Sequence, residues 1–166
     1  MGREIRRVPE NWEHPKDSQG HYIPLYDREY EPTAREYLND CIAWGNGTHP
    51  DLVKHPEYKK EYPYFWMYSG GPPNAESYRP RFENDATWLQ VYETVSEGTP
   101  VTPPFSSKQE LIDYLVQYGD FWDQHRGDGG WTRKNAERFV ESEYAPSMVV
   151  YADKAGISIL SPRDGA

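Results

Sequence analysis

Apolar residues recur at intervals of three and four in three stretches of this chain. Between positions 34 and 44 they are Ala34, Tyr37, Leu38, Cys41 and Ile42, behind Pro32 and the box Thr33-Ala-Arg-Glu36. A Thr and a Glu at that spacing satisfy the free amides of a first helical turn reciprocally, so the pattern predicts a helix over 34–44, stopped by Gly45-Asn-Gly47. A second box, Ser107-Lys-Gln-Glu110, opens a helix to about Tyr118 that turns Leu111, Ile112, Leu115 and Val116 inward, with Gly119 as a left-handed stop. A third helix is expected over 133–143, capped by Thr132 and burying Ala136, Phe139 and Val140.

Alternation replaces this period at 88–95. Trp88, Gln90, Tyr92 and Thr94 fall on one face and Leu89, Val91, Glu93 and Val95 on the other, which reads as a strand. Ser147 to Ala152 and Gly156 to Leu160 read as a terminal hairpin joined by Asp-Lys-Ala-Gly. Residues 1–30 lack either period. Pro9, Pro15 and Pro24 interrupt every run, so the segment is expected to be an extended arm, laid across a surface by Ile5, Val8, Trp12, Tyr22, Ile23, Leu25 and Tyr26. Residues 46–87 are dense in X-Pro steps and rings and offer only a short helix near 57–61; 96–104 and 120–130 read as loops. With no repeat and no linker, the expectation is an α+β fold. It comprises the arm 1–30 and a single aromatic-rich domain over 31–166, with about three helices, a small antiparallel sheet and long Pro/Gly-rich loops.

Composition changes one part of this picture. Leu, Ile, Val and Phe supply only 27 of 166 residues and the net charge is -9, a balance that alone resembles a disordered chain. Six Trp and fourteen Tyr supply what the aliphatics do not, so rings are expected to build the core. The charge is uneven: residues 82–128 hold nine acids against Lys108 and Arg126, a local net of -7. Such a balance argues against bulk nucleic-acid binding, which needs clustered Lys and Arg, so no direct nucleic-acid binding is expected. No apolar run approaches the roughly 18 residues of a membrane span, and the charged N-terminus is no leader, so neither a spanning nor a secreted protein is expected. The single Cys41 cannot close an intramolecular disulfide.

Catalytic and metal motifs are weak. Cys41, His49 and His55 match no structural zinc spacing, and Asp120, Asp123 and Asp128 lack the alternation of a calcium loop, so no metal and no cofactor is expected. Asp51 with Glu57-Tyr58-Lys59 has the letters of a metal-dependent nuclease, yet they crowd within nine residues around Pro56. Gly70-Gly-Pro-Pro73 lacks the Lys and free amides of a phosphate loop, and Glu93 with Glu97 would serve acid–base work only inside a shared pocket. No catalytic residue is assigned. Two features point to binding. Asp113, Asp120, Asp123 and Asp128 are interleaved with Trp122 and Trp131, a pattern suited to docking on a basic surface, with rings as anchors and charge for steering. The alternative is a small-ligand or nucleotide site on Tyr64, Trp66 and Tyr68, with Arg79 and Arg81 for phosphate.

Three stretches resemble small proteins of tailed bacteriophages to which no activity is assigned. They are Arg3-Glu-Ile-Arg-Arg-Val-Pro9 with Trp12 and His14-Pro15, Tyr92-Glu-Thr-Val-Ser-Glu-Gly-Thr-Pro-Val-Thr-Pro103, and Tyr144-Ala-Pro-Ser-Met-Val149. The resemblance implies a phage gene product made in the host bacterial cytoplasm. Together with the acidic segment it leads to the expectation of a non-enzymatic accessory protein. Such a protein would bind a host protein with a basic surface, as an anti-defence inhibitor of the anti-CRISPR or anti-restriction type does. The sequence does not indicate an oligomeric state.

Overall fold

The computed structural model describes residues 2–94 and 98–146, and the backbone of 149–153 and 156–160. Strands β1 (Arg3–Val8) and β2 (Tyr26–Glu29) precede four helices, α1 (Tyr30–Asn46), α2 (Pro50–Lys54), α3 (Tyr58–Glu61) and α4 (Phe65–Ser69). Then come β3 (Tyr78–Arg79), β4 (Trp88–Glu93), β5 (Thr99–Pro100), α5 (Lys108–Tyr118), α6 (Phe121–Arg126), α7 (Arg133–Ser142), β6 (Tyr144–Ala145), β7 (Val149–Asp153) and β8 (Gly156–Leu160). The fold is α+β, with a small antiparallel sheet. The chain divides into two compact units, Met1–Leu25 with Phe82–Ala166, and Tyr26–Arg81.

The first unit is built on a sheet of order β5-β4-β1-β6. Its spine is the antiparallel pair β1–β4, in register from Arg3 opposite Glu93 to Val8 opposite Trp88. Residues 3–8, expected as part of an arm, are therefore an interior strand. The arm reading fails because this strand's buried positions include Arg3 and Arg6, whose charges mask its alternation. Leu89 and Val91 face a core shared with Leu111 and Leu115 of α5, Ala136, Phe139 and Val140 of α7, and Trp131. The opposite face is covered by the stretch from Pro9 to Leu25. The Trp12 indole N–H donates to the Tyr92 hydroxyl (3.0 Å), His14 Nδ1 lies 3.2 Å from the same oxygen, and the Arg6 guanidinium sits over the Tyr92 ring. This placement of residues 9–25 agrees with a segment laid across a surface.

Two of the three expected helices keep their caps. Ser107 Oγ accepts from the Glu110 amide (3.2 Å) and Thr132 Oγ1 from Asn135 (3.3 Å). The Glu110 carboxylate accepts from the amide and the hydroxyl of Ser106 (3.0 and 2.6 Å). Gly119 has φ 72° but ψ -168°, so it is a positive-φ stop outside the left-handed helical well. The first helix begins at Tyr30, four residues early, because Pro32 falls in its first turn, where no amide is needed, and Thr33 Oγ1 donates back to the Glu29 carbonyl instead of capping. The loop expected at 120–130 contains α6, closed by a capping box made from Asp120 and Asp123. At its far end Gly130 lies so close to the Val116 carbonyl that a Cβ would collide with it. The expected strand ends at Glu93; Val95 lies outside the described residues. The hairpin is present as β7 and β8, paired from Val149 opposite Leu160 to Asp153 opposite Gly156, with Ser147, Met148, Lys154 and Ala155 outside the described residues.

The second unit is helical. Trp44, Leu52 and Phe65 form its core, with Tyr37, Cys41, Tyr58 and Tyr62 packed against them. The parallel pair β2–β3 sets Tyr26 beside Tyr78 and Glu29 beside Arg79. The short helix expected near 57–61 is α3; α2 and α4 are two further five-residue helices in the stretch dense in X-Pro steps and rings.

Candidate functional site

The acids expected to face a partner are drawn inward by α6. Asp120 is its N-cap: Oδ1 accepts from the amides of Trp122 (2.8 Å) and Asp123 (3.0 Å), and Oδ2 accepts from Arg3 Nε at 2.6 Å. Asp123 Oδ2 closes the box on the Asp120 amide (3.0 Å) and accepts from Trp131 Nε1 (2.6 Å), while its Oδ1 accepts from Arg126 (2.9 Å). Trp122 Nε1 donates to Glu93 (2.7 Å), whose carboxylate also lies 3.9 Å from Arg3. Asp120, Asp123 and Trp131 are 1, 2 and 4% exposed. They offer no surface to a partner, and this is a correction to the expected contact set. Asp113 and Asp128 are exposed but engaged, with Arg133 at 2.8 Å and Arg126 at 2.7 Å. The Arg133 bond holds the Asp113 carboxyl below the usual carboxylate range. Counting charge along residues 82–128 misses Arg3 and Arg133, which fold in from outside that window.

The expected ligand set of the second unit is also divided. Tyr68 lies on Trp44 with centroids 4.6 Å apart, and its hydroxyl donates to Asp51 (3.1 Å). Burial first, and then the Asp51 carboxylate, push that hydroxyl above the ordinary tyrosine value. Tyr64 and Trp66 stand out from the surface, their planes within 9° of each other. Arg79 pairs with Asp27 (3.1 Å), and Arg81 lines a groove with Glu29, Glu31 and Arg35 that contains none of the three rings. The histidines have structural surroundings: His49 Nδ1 accepts from the Asp51 amide, and His55 stacks on Tyr58. Among the described residues no three His, Cys, Asp or Glu side chains are grouped to hold a metal ion.

One feature of this unit was not legible in the sequence. Leu38 and Ile42, expected inward, are 60 and 62% exposed, whereas Tyr37, Cys41 and Trp44 pack on the core. A helix buries one stripe; here the 37-41-44 row takes it and the 38-42 row, one residue on, is left outside. Trp44 at the end of that row was the available signal. Glu31, Arg35, Leu38 and Ile42 follow one another along the outer side of α1 at intervals of four, three and four, the spacing by which helices seat against helices. Val53, Tyr64, Trp66, Met67 and Tyr68 add to this, so seven of the twelve exposed large hydrophobics among the described residues lie between positions 38 and 68.

No helix among the described residues is long and apolar enough to cross a membrane. Comparison with known proteins finds no family, no curated protein and no solved structure that matches this chain.

Proposed function

We propose that this protein is a binding module that docks on a host protein through the outer side of α1. In this reading it is a phage accessory protein of the anti-defence kind expected from the sequence, with its contact moved from the acidic stretch 113–131 to the second unit. The observation that carries it is the exposed row of Leu38 and Ile42, continued by Arg35 and Glu31 at helix-packing spacing. Unpartnered aliphatics at these intervals suit an amphipathic helix of the partner. A net charge of -9 favours a partner with a basic face and makes its association salt-sensitive.

The test is affinity capture from host lysate with the wild-type chain and with the double variant Leu38→Glu, Ile42→Glu, at low and high salt. Removing anchors of this class costs about 2 kcal/mol or more, roughly thirty-fold in affinity. The expected result is a basic host protein retained by the wild type, weakened by salt and lost from the double variant. Retention that the double variant leaves intact overturns the assignment.

A further inference from the structure

The first unit holds a groove of about 670 Å³ between the segment after β1, the proline turn 100–104 and the helices α5 and α6. Its floor is closed to hydrogen-bonding ligands. The Gln90 amide donates to the Thr102 carbonyl (2.8 Å), and its oxygen lies 2.9 Å from the Tyr92 hydroxyl. Both His14 nitrogens are engaged, by Tyr92 and by the Ile23 carbonyl (2.7 Å). The Thr102 hydroxyl accepts from the Val91 amide and donates to the Pro103 carbonyl. The strand edge is closed too, since the Val101 amide donates to Val91 and its carbonyl accepts from Phe121. A sugar or phosphate group finds few donors on this floor, and an added β-strand finds no ladder at Val101.

What the groove does offer is rings. Trp12, Tyr22, Tyr114 and Phe121 line it together with Pro103 and Pro104, and Phe121 and Tyr22 are 55 and 43% exposed. The Tyr114 oxygen accepts from Gln124 (3.0 Å), which leaves its own proton to donate. Rigid aromatic walls with an isolated phenolic donor match an extended ligand that has free carbonyls and needs no ladder. That is the chemistry of a polyproline II segment. Two charged groups line the groove: Glu13, and Lys16, whose ammonium lies 4.7 Å from the centre of the Tyr22 ring. With Lys16 drawn onto that ring, Glu13 complements a basic residue flanking the prolines.

We infer that this groove is a binding site for proline-rich peptide in the polyproline II conformation, with a preference for a basic flank. The inference is independent of the α1 contact. It is tested by fluorescence anisotropy with three labelled peptides on the full chain: an oligoproline, the same peptide ending in arginine, and a Gly/Ser peptide of equal length. Saturable binding of both oligoprolines is expected, tighter for the arginine-ended one, with none for Gly/Ser. Phe121→Ala and Tyr114→Phe should each weaken it by about two- to ten-fold, and Glu13→Gln should remove the preference for arginine. No saturable oligoproline binding, equal binding of Gly/Ser, or binding indifferent to both ring variants overturns the inference. Phe121 is mostly exposed, so loss in that variant is not loss of the fold.

Discussion

Among single residues, His14 links chemistry to stability most directly. It is 7% exposed, and burial lowers its pKa below 6.5; the Ile23 carbonyl opposes that shift and the nearby Arg6 guanidinium reinforces it. A histidine whose folded pKa is depressed stays neutral in the fold while the unfolded chain still takes up a proton. Stability is then whole above about pH 6.5, falls as the pH drops below it, and stops falling once the lowered folded value has been passed. Urea unfolding over a pH series should show this slope in the wild type and a flatter one in His14→Gln; equal slopes would count against it. The Trp12, Tyr92 and Gln90 contacts that fix His14 were not legible, since Trp12 and Tyr92 are 80 positions apart in sequence. The residue types were informative in part: Trp44 and Phe65 dominate the core of the second unit, whereas in the first unit Trp131 and Phe139 join a core made mainly of Leu, Val and Ala.

Elements were legible where their signals are local and hidden where they are not. Helices α5 and α7 could be read because cap, apolar row and stop lie within a dozen residues. Helix α6 escaped because its box pairs Asp with Asp, and acids beside tryptophans look like solvated loop until Arg3 is placed against them. Strand β1 escaped for the reciprocal reason. This long-range pairing sets the energetics of both elements. Removing one partner of a buried ion pair leaves the other charge stranded and costs about 3–5 kcal/mol, whereas an exposed pair contributes about 0–1 kcal/mol. Arg3→Met removes the buried cation beside Asp120 and Glu93, so it should lower unfolding free energy by the larger amount, and Arg7→Met, whose partner Glu143 is half-exposed, by the smaller. Similar losses in a denaturant titration would show that the α6 cap does not depend on β1.

For the molecule as a whole, the division falls at 25/26 and 81/82, so the second unit is continuous in sequence while the first is assembled from both ends of the chain. Trimming residues 2–8 therefore does not shorten an arm. It should remove an interior strand and abolish cooperative unfolding of the first unit, seen as loss of near-UV circular dichroism with helical signal retained. A truncated chain that keeps a sharp transition would contradict the sheet order. The placement of β1 also bears on synthesis. It is made before the elements it pairs with, and Arg3 meets Asp120 only 117 residues later, about 6–23 s at the usual elongation rate of about 5–20 residues per second. Throughout that wait a bare strand edge is exposed, and inward-facing charge is one of the ways proteins keep such an edge from aggregating. Arg3 and Arg6 thus protect the nascent chain as gatekeepers before they become the buried ties of its sheet.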